Sequence, residues 1–175
     1  MAATGNADTN VGHGVLIEAV GRALSTHGRA VLTGPAGAGK TEVAHAVAAA
    51  AEARRETVLR LAPDAADQHI PEASAAALLG PQRTAIALLR READAPRAGR
   101  DHVALRLALA EVLRTLAASG PVLLLLDNAQ WLDADSTDLL RFALRLTPPR
   151  VRVLVAERAR GGAPVAETLC GPGAP

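Results

Sequence analysis

The chain contains 175 residues, which suits one domain of ordinary size with a real hydrophobic core. Its formal net charge is only +1, so no global charge imbalance indicates nucleic acid or an anionic membrane as a partner. Aromatic residues make up 1% of the chain, and the core must therefore be built from leucine, valine and alanine. The single cysteine, Cys170, excludes an internal disulfide and fits a reducing cytoplasm.

The N-terminal segment, residues 1–10, is small and polar, and we predict that it is disordered. It has neither the basic region nor the apolar run of a signal peptide. No stretch of the sequence approaches the ~20 apolar residues that cross a bilayer. We therefore expect a cytoplasmic protein with no membrane partner.

A phosphate-binding pattern follows the first regular elements. Residues 15–25 carry apolar side chains at helical spacing, and Arg29 to Thr33 reads as a short buried strand. The next eight residues match G-x-x-x-x-G-K-[S/T] and are Gly34, Pro35, Ala36, Gly37, Ala38, Gly39, Lys40 and Thr41. Glycine lets the backbone approach a ligand closely, so the N–H groups of the loop can surround phosphate oxygens. A helix from Glu42 to Ala53 follows, and its N-terminus favours an anion.

The side chains of this loop complete the predicted site. We assign all eight loop residues to binding of a nucleotide cofactor. Lys40, the only lysine in the chain, can reach the β- and γ-phosphates and is also assigned a catalytic role. Thr41 offers a hydroxyl to a bound Mg²⁺ ion. The sequence contains no Asn-Lys-x-Asp motif for reading guanine, which favours ATP by elimination.

The middle of the chain predicts a second strand and three helices. The strand is Glu56 to Leu61, and two short helices are predicted over Glu72 to Leu79 and Gln82 to Arg91. Glu92 to Arg100 contains a proline and a glycine and is predicted to be a mobile loop. Asp101 is a plausible N-cap for a helix that ends near residue 119.

The last third of the chain indicates the fold class. Val122 to Leu126 is a continuous apolar run, which predicts a strand buried on both faces as in parallel sheets. Asp133 or Asp135 caps a further helix, and Val151 to Ala156 is a fourth strand. Strands that alternate with helices predict an α/β fold, the three-layer sandwich of P-loop NTPases with a mostly parallel sheet, over residues 11–160. Residues 161–175, rich in glycine and proline, are predicted to be a disordered tail.

Asp127 is the candidate metal anchor. It follows the fully apolar strand directly, and ligands of parallel sheets bind outside the carboxyl ends of the strands. With Thr41 it would hold Mg²⁺, directly or through water. The alternative is an aspartate that only caps the turn after a core strand.

The run Leu126-Asp127-Asn128-Ala129-Gln130-Trp131-Leu132-Asp133 resembles the Walker B region of AAA-like, STAND-type P-loop ATPases. It is most similar to the N-terminal ATPase domain of large ATP-binding LuxR-family transcriptional regulators. The resemblance covers about Val11 to Arg158. It implies a nucleotide-dependent switch whose output is transcriptional regulation, and it assigns Arg158 a sensor role near the γ-phosphate.

The sequence departs from that family in three places. The residue after the metal-binding aspartate is usually acidic, whereas here it is Asn128, whose amide can bind water but cannot accept its proton. The usual Val-Gly-Arg motif, which contacts the base, reads Val11-Gly12-His13. Family members also continue into a further strand, a helical lid, repeats and a DNA-binding helix-turn-helix, whereas this chain ends at Pro175 and contains no recognisable DNA-binding element.

The apparent C-terminal truncation predicts an exposed sheet edge. Without the further strand of the family, Ala30 to Thr33 becomes an apolar edge that is open to pairing with another chain. We therefore expect self-association or a protein partner.

Three functions remain open at this point. The first is an ATP-binding switch domain that hydrolyses ATP weakly because Asn128 replaces the second acid. The second is a non-catalytic nucleotide-binding remnant that acts as an interaction module. The third is a small P-loop kinase, for which Arg97 and Arg100 would have to serve as the lid.

Overall fold

A computed structural model describes residues 6–79, 102–158 and 164–171. The strands are β1 (Arg29–Gly34), β2 (Thr57–Leu61), β3 (Val122–Leu126) and β4 (Val151–Arg158). The helices are α1 (Asn6–His27), α2 (Lys40–Ala53), α3 (Ala73–Leu79), α4 (His102–Ser119), α5 (Ala134–Arg145) and α6 (Val165–Cys170). Two short 3₁₀ turns cover Asp67–His69 and Ala129–Trp131. Within these residues, no helix is long and apolar enough to span a bilayer.

The four strands form one parallel sheet in the order β1-β4-β3-β2. Gly34 lies opposite Arg158, and Leu126 lies opposite both Val155 and Leu61. Because every strand runs in the same direction, all of their carboxyl ends meet at one edge of the sheet. The predicted α/β architecture with a parallel sheet is confirmed.

Helices cover both faces of the sheet and give three layers. β3 is buried at every residue: Val122, Leu124 and Leu126 join the core under α4 and α5. Leu123 and Leu125 join the other core, beneath α1 and α2. Both cores consist of leucine, valine and alanine, as the composition predicted. The continuous apolar run of β3 follows from this burial on two sides.

Two predicted disordered segments are partly helical, and the predictions were wrong there. Helix α1 begins at Asn6 rather than near Val15, because adding residues to a helix that is already anchored costs much less than nucleating one. Helix α6 lies inside the predicted tail. Its Ala166 and Leu169 are only 3% and 7% exposed, since they lie one helical turn apart and pack on the core together.

Some of the sequence predictions concern residues outside the described ranges. They are the helix Gln82 to Arg91, the loop Glu92 to Arg100 with its two arginines, and the N-cap Asp101. The remaining predicted helices and strands are present, with bounds that differ by a few residues.

Strand β1 forms one edge of the sheet that the structure describes. The N–H of Val153 donates to the Gly28 carbonyl at 2.9 Å, so Ala30 and Leu32 also face β4. In a parallel strand the intervening peptide groups, those of Val31 and Thr33, then point away from β4. The predicted edge is therefore present in the described sheet, and pairing with another chain stays a prediction.

Asp133 fixes the packing of α3 against α5. Its carboxylate caps α5 by accepting from the Ser136 N–H at 2.8 Å. It also accepts from the N–H groups of Glu72 at 2.9 Å and Ser74 at 3.2 Å, about sixty residues earlier in the chain. The carboxylate is buried, which by itself opposes ionisation, but the hydrogen bonds outweigh that effect and lower the pKa of Asp133. Of the two predicted caps, the structure therefore selects Asp133.

Replacing Asp133 with alanine should destabilise the fold strongly. The change removes the helix cap and leaves the buried amides of Glu72 and Ser74 without an acceptor. We expect the free energy of unfolding, measured by urea denaturation at neutral pH, to fall by about 2–4 kcal/mol. Asp135→Ala, an exposed position in the first turn of the same helix, is the matched control and should change it by less than about 0.5 kcal/mol.

The loss of stability in Asp133→Ala should depend on pH. Because the folded pKa of Asp133 lies below the unfolded value of about 3.9, its stabilisation is complete above that pH. The stabilisation is lost as the pH falls through the folded pKa. The gap between wild type and Asp133→Ala should therefore narrow in acid. The capping role of Asp133 would be contradicted if, at neutral pH, Asp133→Ala were as stable as wild type or lost no more stability than Asp135→Ala.

Candidate functional site

The predicted phosphate loop connects β1 to α2 at the carboxyl edge of the sheet. Gly34 ends the strand, and Gly39 precedes the first residue of the helix. Gly37 and Gly39 have φ angles of 77° and 76°, in the left-handed region that side chains strongly disfavour. The two glycines therefore allow the chain to turn from the strand into the helix within five residues.

Lys40 closes this loop with its own side chain. Its Nζ atom donates to the carbonyl oxygens of Gly34 at 3.0 Å and Pro35 at 2.7 Å. The last part of the loop is thereby tied to its first two residues. An ammonium group has three N–H donors, so these bonds leave one for an anion placed over the loop.

The start of α2 lacks any side-chain cap, because Gly39 occupies that position. The N–H groups of the first helical turn, including those of Lys40 and Thr41, have no carbonyl one turn earlier to accept from them. They form, together with the Lys40 ammonium, a donor set that suits phosphate oxygens. Thr41 is exposed on this turn, so its hydroxyl is accessible.

Asp127 follows β3 at the same edge of the sheet. Its N–H donates to the Leu61 carbonyl of β2 at 2.8 Å, and its Oδ1 accepts from the Asn128 N–H at 2.8 Å. Oδ2 has no hydrogen-bond partner within the described residues, although the residue is only 6% exposed. Since β4 separates β3 from β1, the two strands lie about 10 Å apart. The oxygens of Thr41 and Asp127 are ligands of the type that Mg²⁺ prefers.

Asn128, which the sequence analysis placed beside the attacking water, has a conformational role in the structure. Its φ and ψ angles are 53° and 35°, which places it in the left-handed region. Among residues other than glycine, asparagine and aspartate tolerate this region best. The turn directs the chain away from β3 and into the 3₁₀ turn that carries Gln130.

Arg158 is the last residue of β4 and lies opposite Gly34, the first residue of the loop. Its backbone N–H donates to the side-chain oxygen of Gln130 at 3.0 Å. Its guanidinium is exposed and makes no ion pair with any residue that the structure describes. The register thus brings the predicted sensor to the strand position beside the phosphate loop.

The structure adds two residues that the sequence analysis did not assign to the site. The ring of His13 lies against the Cα of Gly39, and its Nδ1 is 3.4 Å from the Glu42 carboxylate. The departure from Val-Gly-Arg at this position was the available signal. Gln130 was quoted only as part of the Walker B resemblance, and nothing in the sequence indicated that its partner would be Arg158.

Comparison with known proteins found a matching family model and several solved structures of similar fold. A family model described as an AAA ATPase domain matches residues 14–156. The Aeropyrum pernix ORC1 protein in complex with DNA is similar, with a TM-score of 0.51 and 21% identity over 91% of this chain and 42% of that one. The A. pernix ORC2 protein in ADPNP–ADP complexes has a TM-score of 0.51 and 20% identity, over 84% of this chain and 39% of that one.

The chain spans about two-fifths of the length of the two ORC structures. At 20–21% identity, the similarity to these two structures shows that the chain shares their fold. No curated protein matches the sequence.

The two left-handed glycines offer a test of the loop. Alanine at Gly37 or Gly39 meets the same backbone strain, about 1–2 kcal/mol. A Cβ at Gly37 would meet no atom within 4 Å, whereas one at Gly39 would collide with the His13 ring. We therefore expect Gly39→Ala to lower the free energy of unfolding more than Gly37→Ala does, as measured by urea denaturation.

A second substitution separates the two causes. Adding His13→Ala should relieve the collision in Gly39→Ala and bring its stability to that of Gly37→Ala. If the difference between the two glycine variants persists without the imidazole, the collision with His13 is not its cause.

Proposed function

Because the chain belongs to the AAA ATPase domain family, we propose that it is a nucleotide-dependent switch domain that binds ATP together with Mg²⁺. The observation that carries the proposal is the closed phosphate loop. Lys40 already bridges to Gly34 and Pro35, and the helix behind it begins without a cap. A loop of this shape has no evident structural use for so many unpaired donors at one place.

The residues of the loop would share the work of binding. The N–H groups between Gly37 and Thr41 would donate to the phosphate oxygens, and the third N–H of Lys40 would bond the β- or γ-phosphate. Thr41 and the Oδ2 of Asp127 would hold the metal ion, directly or through water. When bound, Mg²⁺ supplies charge neutralisation of the phosphates.

Hydrolysis should be weak in this site. The amide of Asn128, next to Asp127, can hydrogen-bond a water molecule but cannot take its proton as a carboxylate can. Arg158, beside Gly34 in the sheet, is the residue we assign to sensing the γ-phosphate. Its guanidinium could pair with the phosphate without first breaking an ion pair among the described residues.

We further propose that the switch domain acts in transcriptional regulation. The Walker B wording from Asp127 to Asp133 resembles that of LuxR-family transcriptional regulators of the STAND class, and we assign the domain to a regulator of that kind. The β1 edge supplies a surface for self-association or for a partner strand. Nucleotide binding next to β1 would then bias that association.

One alternative has a specific observation in its favour. Asn128 is also what a non-catalytic, nucleotide-binding remnant would contain. Its left-handed conformation is one that asparagine tolerates, so the turn by itself accounts for this residue without a catalytic role. A small P-loop kinase has no comparable support, because its predicted lid lies outside the described residues.

Nucleotide binding should depend on Lys40. We expect Mg–ATP to bind the wild-type protein in titration calorimetry, and Lys40→Ala to weaken binding by at least roughly tenfold, since a charge-assisted hydrogen bond is lost. The control is Arg141→Ala, which removes a positive charge from the surface of α5, where Arg141 pairs with Asp138. If the wild-type protein does not bind Mg–ATP, the proposed function is wrong.

Turnover should depend on the residue at position 128. Asn128→Asp restores an acid in a residue that tolerates the same left-handed turn, and we expect ATP hydrolysis to rise by at least roughly tenfold in a phosphate-release assay. Asn128→Gly keeps the turn without any side chain and should not gain activity. If Asn128→Asp binds Mg–ATP and stays inert, the non-catalytic alternative is favoured.

A further inference from the structure

The ladder between β3 and β4 ends before β4 does. Val153 faces β1 because its N–H donates to Gly28, so the even-numbered residues of β4 face β3. The last paired residue of β3 is Leu126, opposite Val155. Asn128 then turns the chain away with its positive φ angle. The N–H of Arg158 therefore points to a position that the β3 backbone has already left.

Gln130 supplies the missing acceptor. Its Oε1 accepts from the Arg158 N–H at 3.0 Å, across 28 positions of sequence. Gln130 lies in the 3₁₀ turn three residues after Asp127. A single side chain thus joins the segment that carries the metal-binding candidate to the strand residue that carries the sensor candidate.

The second observation concerns the nitrogen atom of the Gln130 side-chain amide. The Nε2 atom of Gln130 is buried and has no hydrogen-bond partner in the described structure. An unpaired buried donor is unfavourable, and an apolar side chain of similar size would avoid it. The amide oxygen must face the Arg158 N–H, because the nitrogen is itself a donor. The need for an acceptor at this position therefore accounts for the glutamine, despite the unpaired nitrogen.

We propose that Gln130 is the positioning residue that sets Arg158 for discrimination between nucleoside triphosphate and diphosphate. This inference rests on the proposed function. Gln130 fixes the backbone of Arg158 beside Gly34, and from that position the guanidinium would reach a γ-phosphate bound over the loop. The same hydrogen bond passes any movement of Arg158 to the turn that follows Asp127.

The test is the ratio of the dissociation constants of Mg–ADP and Mg–ATP, measured by titration calorimetry on the full chain. We expect Arg158→Ala to lower this ratio by about fivefold or more, and Gln130→Leu to lower it by a similar factor, the scale of one lost hydrogen bond. Because Gln130 acts through Arg158, the double variant should lose no more than Arg158→Ala alone. Gln130→Glu keeps an acceptor and should keep the ratio.

Controls separate this role from general damage. Gln68→Leu makes the same change at an exposed position and should leave the ratio unchanged. Each variant is checked for an unchanged thermal transition, and Gln130→Met, which has an unbranched side chain of similar length and no amide, replaces Gln130→Leu if that variant does not fold. If the ratio of the two dissociation constants falls in Arg158→Ala but stays at the wild-type value in Gln130→Leu, the role of Gln130 is wrong and the proposed function still stands. Additive losses in the double variant would also overturn it. A wild type that binds neither nucleotide would overturn the proposed function with it.

Discussion

Two hydrogen bonds from the Lys40 ammonium hold the phosphate loop in shape, and the other features of the site depend on that loop. They tie the start of α2 to the end of β1, so the helix axis and the sheet edge are fixed relative to each other. The left-handed glycines, Gly37 and Gly39, make so short a connection sterically allowed. The cationic side chain thus serves the loop's structure first, and one of its donors is left to bind a ligand.

The seven residues from Asp127 to Asp133 include three polar side chains with different roles. Asp127 presents a carboxylate oxygen at the sheet edge, Gln130 holds the end of β4, and Asp133 joins α5 to the segment before α3. Only Asp127 is predicted to hold a metal ion. Buried polar groups are costly in a core of leucine, valine and alanine, and the side chains of Gln130 and Asp133 each have a hydrogen-bond partner on a distant element. The resemblance carried by this run therefore reflects packing as much as chemistry.

Asn128 shows how conformation and chemistry can constrain the same residue. Its backbone adopts a conformation that few side chains tolerate, and this turn allows β3 to end while β4 continues for three more residues. An aspartate would satisfy the same backbone requirement. The fold therefore does not require an amide here, and under the proposed function the amide would allow a nucleotide to bind while disfavouring its hydrolysis.

The sequence by itself determined the strands, the phosphate loop and the parallel sheet, because these depend on patterns a few residues long: apolar runs, the spacing of glycines, and an acid after a strand. It missed the helix α6, whose two buried residues gain stability only when a core is present to receive them. It could not reveal that His13 would contact Gly39, or that Gln130 would bind Arg158. Those contacts join residues far apart in the chain, and their partners are fixed only when the sheet order and register bring the strand ends together.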